Sequence, residues 1–330
     1  MVSIFLSQAC KNYSFWDLPC CACDSCLRWR IAFCSRRSNS YIAVVCCQKC
    51  NKKQFLKKGR SDQDDIYREY RLLKDLNGGF QMQSGHIFLL PNAYHYSDTY
   101  NAFSREFLEG DSILDRILHS RTRQTLEECL STSAVWLKGL HEAPIRHYCR
   151  PGSDYRTLLT QLELYYGKLG NADPIMSLAL KMMQSLLRKI DNIPVKNVPI
   201  HGDFKASNLV ITPTGQVYGV DLSPQFINSE SMDIAQFFVN LLLERHKIKL
   251  QKKSSDIDIL ILIDFFLDVY NGNSSQWNKI PVKWWMLYFT MSHWLTELKS
   301  YKPRLLVNYR FRDTLRDVMA YGNNDLIEHR

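Results

Sequence analysis

The segment His201–Asn208 constrains this chain more than any other, because a carboxylate, an amide and a second carboxylate follow one another around a short hairpin. Its sequence is His-Gly-Asp-Phe-Lys-Ala-Ser-Asn, and Asp221 follows two β-prone runs, 209–212 and 216–220. Between those runs lies Pro-Thr-Gly, in which proline presets φ and glycine accepts a positive φ. The sequence therefore predicts an antiparallel hairpin that carries Asn208 and Asp221 to the same end.

These polar groups are the ones that kinase-type phosphoryl transfer requires. A loop carboxylate can accept the proton of an acceptor hydroxyl, and two further oxygens can hold a divalent cation that bridges phosphates. Asp203 would take the first role, and Asn208 and Asp221 the second. Each residue alone would be an ordinary turn cap, strand end or surface carboxylate. Their combined spacing is what indicates phosphoryl transfer.

The same segment resembles the catalytic loop of the aminoglycoside phosphotransferase family, the protein-kinase-like small-molecule kinases. The resemblance implies an enzyme, a phosphotransferase with an alcohol group as acceptor, that uses ATP and Mg²⁺. It implies Asp203 as the base, Asn208 and Asp221 as magnesium ligands, and Lys205 near the transferred phosphate. It also implies an α+β, two-lobed protein-kinase-like fold, with a small antiparallel-sheet N-lobe and a larger, mainly helical C-lobe.

The length and composition of the chain agree with that architecture. A chain of 330 residues with 45% hydrophobic content can bury a substantial core, and two lobes around one cleft fit it better than two independent domains. We expect a cysteine-rich N-terminal segment over 1–26, the nucleotide-binding N-lobe over 27–107, and the C-lobe with catalytic loop and acceptor site over 108–330.

The N-lobe must supply a lysine and a helix glutamate if the resemblance holds. Residues 54–58 read as the end of a strand, and 67–76 as a short amphipathic helix. Lys57 and Glu69 fit the family's phosphate-binding lysine and the acid that holds it. Lys58 remains a competing lysine, because alternation along the strand does not decide between the two. Glu69 by itself could equally be a solvated helix charge.

The nucleotide-binding connection departs from the family's pattern. Strand-like runs at 27–34 and 41–46 are joined by Ser35–Ser40, where the family usually includes glycine and this chain has none. Serine hydroxyls, backbone N–H groups and two arginines could still cradle phosphate. The resemblance also implies a hinge whose backbone binds adenine. The residues that it implies for the connection and the hinge are Ser38, Asn39, Glu106 and Leu108.

The remainder of the chain is predicted to be helical, with an N-cap at Asp173 followed by Pro174. Asp233 resembles the family's acid that anchors the catalytic loop, and we expect it to be architectural. The eleven residues between Asp221 and Asp233 are too few for the peptide-docking segment of a protein kinase. The short connection favours a small hydroxylated acceptor, such as a sugar, an amino alcohol or an antibiotic-like molecule.

Charge is distributed unevenly along the chain. The net charge is +9, and residues 1–60 hold eleven Lys and Arg against two Asp and Glu. Residues 301–312 mix basic and aromatic side chains in the region where the family builds its acceptor pocket. That mixture favours an anionic or sugar-like acceptor over a polycationic one, although a solvated basic helix face is the alternative. We expect no nucleic-acid partner, because no nucleic-acid motif accompanies the patch.

Cysteine is concentrated at the N-terminus, where nine of eleven cysteines lie within the first fifty residues. Cys23 with Cys26, and Cys47 with Cys50, form two CxxC pairs with the spacing of a zinc ribbon. A hairpin of the two intervening strands would place both pairs at its open end, where four thiolates could hold a structural Zn²⁺. Two alternatives stay open: buried packing cysteines, or disulfides in an oxidising compartment.

Targeting signals are weak. The first ten residues lack the basic and long apolar regions of a signal peptide, and the apolar run 258–267 is too short and too acidic to span a bilayer. We therefore expect a cytoplasmic protein with no membrane span. Three further hypotheses are a protein kinase-like enzyme, a nucleotide-binding pseudokinase and a zinc-dependent interaction module.

Overall fold

The chain divides into two compact units, the first made of residues 1–111 and 210–223 and the second of residues 112–209 and 224–330. The first unit thus includes 210–223, which the sequence analysis assigned to the C-lobe. The computed structural model describes residues 18–23, 29–36, 40–60, 66–76, 79–81, 87–120, 122–144, 150–168, 173–222, 226–251, 259–272, 279–299 and 305–321.

Strands predominate in the first part of the chain, and helices predominate in the rest. In chain order they are β1 (Trp29–Arg36), β2 (Ser40–Cys47), β3 (Lys53–Gly59), α1 (Ile66–Leu76), β4 (Gly79–Gln81), β5 (Ile87–Leu89), β6 (Ala93–Ser97), β7 (Ala102–Glu106), β8 (Asp111–Ser112), α2 (Ile113–His119), α3 (Arg123–Glu142), β9 (Arg150–Pro151), α4 (Tyr155–Gly167), α5 (Pro174–Ile190), β10 (Asn197–Pro199), a 3₁₀ turn (Ala206–Asn208), β11 (Leu209–Ile211), β12 (Val217–Gly219), β13 (Phe226–Ser229), α6 (Ser231–Gln251), α7 (Ile259–Asn271), α8 (Lys279–Lys299) and α9 (Leu305–Ala320).

The first unit is built around an antiparallel sheet of strand order β1-β2-β3-β7-β6. Alternation along the strands turns small and branched side chains to one face, where Ala43, Val45 and Leu56 are buried. Leu18 packs into the same cluster and so attaches the segment before β1 to the sheet. The antiparallel-sheet N-lobe predicted from the sequence is confirmed.

Helix α1 buries one stripe, because its apolar residues recur at helical spacing. Ile66, Leu72 and Leu73 are buried, and Glu69 lies on the same stripe and is also buried. The ring of Tyr70 lies 6.2 Å from that of Phe103 on β7. The sequence predicted this helix one residue shorter, and the packed stripe carries Glu69 to the interior rather than to solvent.

The hairpin predicted after Asn208 is present. Strands β11 and β12 are neighbours in a second sheet of order β4-β5-β12-β11-β8. The turn is closed by a hydrogen bond from the Thr212 N–H to the Gln216 carbonyl at 2.9 Å. Gly215 has φ of +82°, the left-handed conformation that glycine accepts without strain.

The second unit is mainly helical and is organised around α8, which contacts α5, α6 and α9. A helix that is apolar on all sides is expected to lie in a core, and Trp284, Trp285 and Trp294 on α8 are all buried. Helix α5 begins as predicted, because Asp173 accepts a hydrogen bond from the Ile175 N–H and Pro174 occupies the first turn. A small sheet of order β10-β13-β9 completes the unit.

None of the helices in the described ranges has both the length and the hydrophobicity required to cross a membrane.

Candidate active site

The loop that follows β10 is held by a buried carboxylate of α6. Asp233 accepts the backbone N–H of His201 at 2.6 Å and that of Gly202 at 3.1 Å, and it is fully buried. His141 of α3 contacts the same carboxylate at 3.0 Å and the Tyr270 hydroxyl at 2.6 Å. A carboxylate that accepts backbone N–H groups fixes a loop strongly, because charge-assisted hydrogen bonds are short and strong. The architectural role predicted for Asp233 is confirmed.

The loop held in this way presents Asp203 among side-chain donors. Lys205 Nζ lies 2.6 Å from Asp203 Oδ2, and Asn208 Nδ2 donates to the Asp203 backbone oxygen at 3.0 Å and to its Oδ2 at 3.2 Å. Gln236 Nε2 of α6 approaches Oδ1 at 3.4 Å. The structure thus brings together Asp203, Lys205 and Asn208, three residues that the sequence analysis selected.

The orientation of Asn208 limits what its side chain can still bind. Its amide nitrogen donates to Asp203, and the residue is 5% exposed. The atom of this amide that remains for a cation is therefore its oxygen, and Mg²⁺ accepts amide oxygens as ligands. The donor set fits the role predicted for Asn208.

His293 of α8 is a further group of this loop region. Burial lowers the pKa of its imidazole, while the negative charge of Asp203 acts in the opposite direction and Lys205 adds to the lowering. Its Nε2 is buried and makes no hydrogen bond to any described residue. His293 was not predicted from the sequence, because a histidine within an aromatic helix belongs to no recognisable motif.

In the first unit, Lys57 of β3 joins two carboxylates. Its Nζ lies 2.7 Å from Glu69 Oε2 on α1 and 3.1 Å from Asp221 Oδ1, which follows β12. The side chains of Lys57 and Glu69 are 14% and 7% exposed, and that of Asp221 is 43% exposed. The predicted Lys57–Glu69 pair is therefore present, and the metal-binding candidate Asp221 joins it.

The competition between the two lysines is decided by the pleat of β3. Lys58 points to the opposite face from Lys57 and lies over the Tyr100 ring, 5.8 Å from its centroid. A cation–π contact of this kind at a partly exposed site contributes about 0.5–1 kcal/mol. Lys57 is the lysine that meets the helix acid.

The electrostatics of the Lys57 cluster keep its ammonium charged. Desolvation alone would lower the pKa of Lys57, but the attraction of Glu69 and Asp221 together outweighs it and raises that pKa above its ordinary value. Burial raises the pKa of Glu69, and Lys57 opposes that shift. Asp221 has φ of 56°, a left-handed conformation that aspartate adopts more readily than most residues.

The two residues expected at the hinge, Glu106 and Leu108, differ in whether their backbone groups are already hydrogen-bonded within the protein. The Glu106 N–H donates to the Asn92 carbonyl at 2.8 Å, and the Glu106 carboxylate accepts from the Asn92 backbone and side chain. Arg105 donates to the Glu106 carbonyl at 3.3 Å. The backbone of Glu106 is therefore engaged within the protein, whereas Leu108 lies in the partly exposed, strand-free segment after β7.

Part of the predicted nucleotide connection and one predicted cysteine lie outside the described residues. These are Ser38, Asn39 and Cys26. The other three predicted cysteines, Cys23, Cys47 and Cys50, are brought together, and the thiol that joins them is that of Cys20.

Sequence reasoning did not select Cys20 or Gln236, although signals for both exist. Cys20 and Cys23 are themselves a CxxC pair, overlapping the one formed by Cys23 and Cys26. Gln236 follows Asp233 by one helical turn, so the two side chains share a helix face and reach the same loop.

Comparison with known proteins gives a likeness in structure but not in sequence. No family model matches the chain, and no curated protein matches it either. Spectinomycin phosphotransferase, solved with ADP and spectinomycin, superposes with a TM-score of 0.57 at 12% identity, covering 89% of this chain and 92% of that one. The choline kinase LicA from Streptococcus pneumoniae superposes with a TM-score of 0.55 at 15% identity, covering 87% and 92%.

A third neighbour is likewise similar over most of its length. It is a choline/ethanolamine kinase family protein from Mesorhizobium loti, with a TM-score of 0.58 and 11% identity, covering 89% of this chain and 88% of that one. At identities this low, the superpositions show a shared fold and nothing more. The chain accordingly has a protein-kinase-like fold, the fold that the resemblance of the segment His201–Asn208 led us to expect.

Proposed function

We propose that the chain is an ATP-dependent phosphotransferase that moves the γ-phosphate to a hydroxyl of a small molecule. The observation that carries the proposal is the contact of Lys57 with both Glu69 and Asp221, in a chain with this fold. In the family that the catalytic loop resembles, these are the phosphate-binding lysine, the acid that holds it and a metal ligand. These three residues come from three separate elements, and two of them are largely buried, which is not expected of a chance set of surface charges.

On the nucleotide side, Lys57 would bind the α- and β-phosphates while Glu69 holds its ammonium in position. Two of the structural neighbours were solved with ADP or AMP bound, which supports nucleotide binding by this fold. The adenine would be bound by the backbone near Leu108, since the backbone of Glu106 is engaged with Asn92 and Arg105. Ser38 and Asn39 would cover the phosphates.

Magnesium would be held by Asn208 and Asp221, through an amide oxygen and a carboxylate. The donor set fits, because hard divalent cations take oxygen ligands, and the Asn208 amide nitrogen is already committed to Asp203. Bound there with nucleotide, the ion supplies charge neutralisation for the phosphates. Asn208 and Asp221 would fix the position of the ion.

On the acceptor side, Asp203 would orient the hydroxyl and accept its proton, and Lys205 would neutralise charge on the transferred phosphate. Asp233 and His141 keep the loop in place, so that little reorganisation is needed when substrate arrives. Phosphoryl transfer depends mainly on positioning and charge stabilisation. The fixing of the loop by a buried carboxylate supports such a positioning role.

The acceptor would be a sugar, an amino alcohol or an antibiotic-like molecule. The short connection from Asp221 to Asp233 supports this class over a protein substrate. An anionic acceptor is supported less strongly than the sequence suggested, because Arg312 of the basic segment is paired with Asp173 at the start of α5. The basic charge of that segment is thus partly used in packing.

An acceptor panel with γ-labelled ATP and Mg²⁺ tests the proposal. Neutral sugars, sugar acids, amino alcohols and macrolide or aminoglycoside antibiotics would be offered to the wild type, to Asp221→Asn and to an exposed control, Asp268→Asn. We expect label to appear on one acceptor class with the wild type and the control, and on none with Asp221→Asn.

Two outcomes would contradict it. Label transferred to protein in a cell extract, with every small molecule unlabelled, would indicate a protein kinase. Binding of Mg-ATP without transfer to any acceptor or extract component would indicate a pseudokinase.

A further inference from the structure

Four cysteine thiols converge in the first unit, where the segment before β1 meets the end of β2 and the turn that follows it. The Sγ atoms of Cys20, Cys23, Cys47 and Cys50 all lie within 4.8 Å of one another. Cys20 and Cys50 are separated by 3.4 Å, and Cys23 and Cys47 by 3.7 Å. Each close pair joins the segment before β1 either to the last residue of β2 or to the turn that follows it.

These distances have the scale of a metal tetrahedron. Zinc–thiolate bonds of about 2.3 Å place the sulfurs of a tetrahedral site about 3.8 Å apart. A disulfide would require about 2.05 Å between sulfurs, and the separations of 3.4 and 3.7 Å are too long for that bond. The four thiols are therefore arranged as the vertices of a site rather than as two bonded pairs.

The backbone shapes each CxxC pair as a tight turn. The Cys23 N–H donates to the Cys20 carbonyl at 3.3 Å, and the Asn51 N–H donates to the Cys47 carbonyl at 2.9 Å. Turns of this kind bring both thiols of a pair to one side. Burial is graded, since Cys20 and Cys47 are fully buried and Cys50 is exposed. An ion could thus enter from the Cys50 side.

The neighbouring cysteines have other contacts, so only four of the cysteines in this region form the cluster. Cys46 donates its S–H to the Asn51 carbonyl at 3.1 Å, and Cys34 packs in the core cluster of the main sheet. Cys21 lies between two members of the set without belonging to it. Simple crowding of cysteines would not sort them in this way.

We propose that Cys20, Cys23, Cys47 and Cys50 bind one structural Zn²⁺ as a tetrathiolate. Four thiolates in a closed tetrahedral set suit zinc and leave no open position for catalysis. Binding displaces any thiol protons to solvent and involves no change of oxidation state. The site is separate from the proposed phosphotransfer, so that either proposal can fail without the other.

The ion would fasten the segment before β1 to the sheet. That segment already contributes Leu18 to the core, and the Trp29 indole N–H donates to the Leu18 carbonyl at 3.1 Å. Trp29 also packs against Cys20 and Cys47. Because the ligands come from two sequence-distant turns, the metal would cross-link the folded state and leave the unfolded state unlinked.

Metal analysis of single-serine variants tests the site and its ligand set together. The full-length protein would be purified in reductant, supplied with zinc, dialysed and analysed for bound metal. We expect one zinc per chain in the wild type, and its loss in Cys20→Ser and Cys50→Ser. The controls Cys21→Ser and Cys26→Ser should retain it, and cobalt substitution should show the absorption of a tetrahedral thiolate site.

Alkylation of the wild-type protein tests the zinc site without any variant, so the proposal can still be tested if a serine variant fails to fold. Cys50 is exposed, yet bound zinc should protect it from N-ethylmaleimide until a chelator is added, while Cys21 labels equally before and after.

Three results would overturn the proposal: a protein without zinc after reconstitution, zinc that survives Cys20→Ser but is lost in Cys26→Ser, or stoichiometric iron in place of zinc. Immediate labelling of Cys50 in the zinc-supplied protein would overturn it as well.

Discussion

The two units position their key polar groups by different physical means. In the first unit, Lys57, Glu69 and Asp221 come from three separate elements and are held together by charge attraction between side chains. In the second unit, Asp233 holds the loop that carries Asp203 by accepting backbone N–H groups, in full burial.

Because the two units hold these groups differently, substitutions in them should affect different properties, activity in one unit and stability in the other. An ion pair that reaches solvent at Asp221 can exchange partners at little cost in free energy, because exposed pairs contribute little stability. A buried carboxylate that satisfies backbone N–H groups cannot be lost without unpaired donors, which cost about 1–3 kcal/mol each. We therefore expect the first cluster to determine activity more than stability, and the Asp233 anchor to determine stability as well.

The largest effect is expected at Asp203, whose loop is held in place independently of its own carboxylate. Asp203→Asn should reduce kcat by about 100- to 10,000-fold, the usual contribution of a general base. The melting temperature should change little, because Asp203 is 44% exposed. Steady-state kinetics on the identified acceptor, with Asp268→Asn as control, measures this. Unchanged turnover would remove Asp203 from the reaction.

Loss of the loop anchor should appear in unfolding. Asp233→Ala leaves His141, the buried N–H of His201 and the partly buried N–H of Gly202 without their acceptor, so the free energy of unfolding should fall by about 3–5 kcal/mol. Urea denaturation measures it, with the exposed Asp268→Ala expected to stay within about 0.5 kcal/mol of wild type. Equal stability of the two variants would show that the loop holds its conformation without Asp233.

The two adjacent lysines of β3 offer a matched pair. Lys57→Met should lower kcat/KM by about 100- to 1,000-fold, the loss typical of one preorganised charge donor. Lys58→Met makes the same chemical change on the opposite face of the strand and should leave kcat/KM near wild type. Comparable losses in both variants would refute the assignment of Lys57. Titration with Mg-ATP separates a binding defect from a catalytic one.

Close backbone packing in the first unit gives a smaller effect. A Cβ at Gly110 would lie 2.2 Å from the Ile211 carbonyl oxygen, so Gly110→Ala should destabilise the protein by about 1–3 kcal/mol. Gly167 at the end of α4 has open space around a new Cβ, and Gly167→Ala should be neutral or stabilising by up to about 1 kcal/mol. Thermal melts of both variants show whether the destabilisation arises from the contact of the new Cβ with Ile211 or from the loss of a glycine in general.

The smallest effect concerns pH. Burial lowers the pKa of His293 below its ordinary 6.5, so as pH falls the unfolded chain binds this proton before the native protein does. Stability should therefore decline from about pH 6.5 down to the lowered native pKa, and His293→Gln should flatten that decline. The exposed His119→Gln is the control, and equal pH slopes in wild type and His293→Gln would contradict the expectation.

Much of this molecule could be predicted from local sequence. The motif around Asp203, the hairpin that follows Asn208, helix α1 and the start of α5 depend on short-range chemistry: turn residues, helical periodicity and capping. Each of these was expected and is present. Short-range interactions are readable in sequence because the partners are only a few residues apart.

Contacts between distant residues were less accessible. The sequence alone predicted that one of two adjacent lysines, Lys57 or Lys58, would meet the helix acid Glu69, that Asp233 would anchor the loop, and that N-terminal cysteines could meet. Only the tertiary structure placed Lys57 against Glu69 and Asp221, because strand alternation permits either lysine until a helix packs on one face. It likewise placed Cys20 with Cys47 and Cys50, because a CxxC spacing defines a pair, whereas the packing of two turns against each other determines which pairs meet.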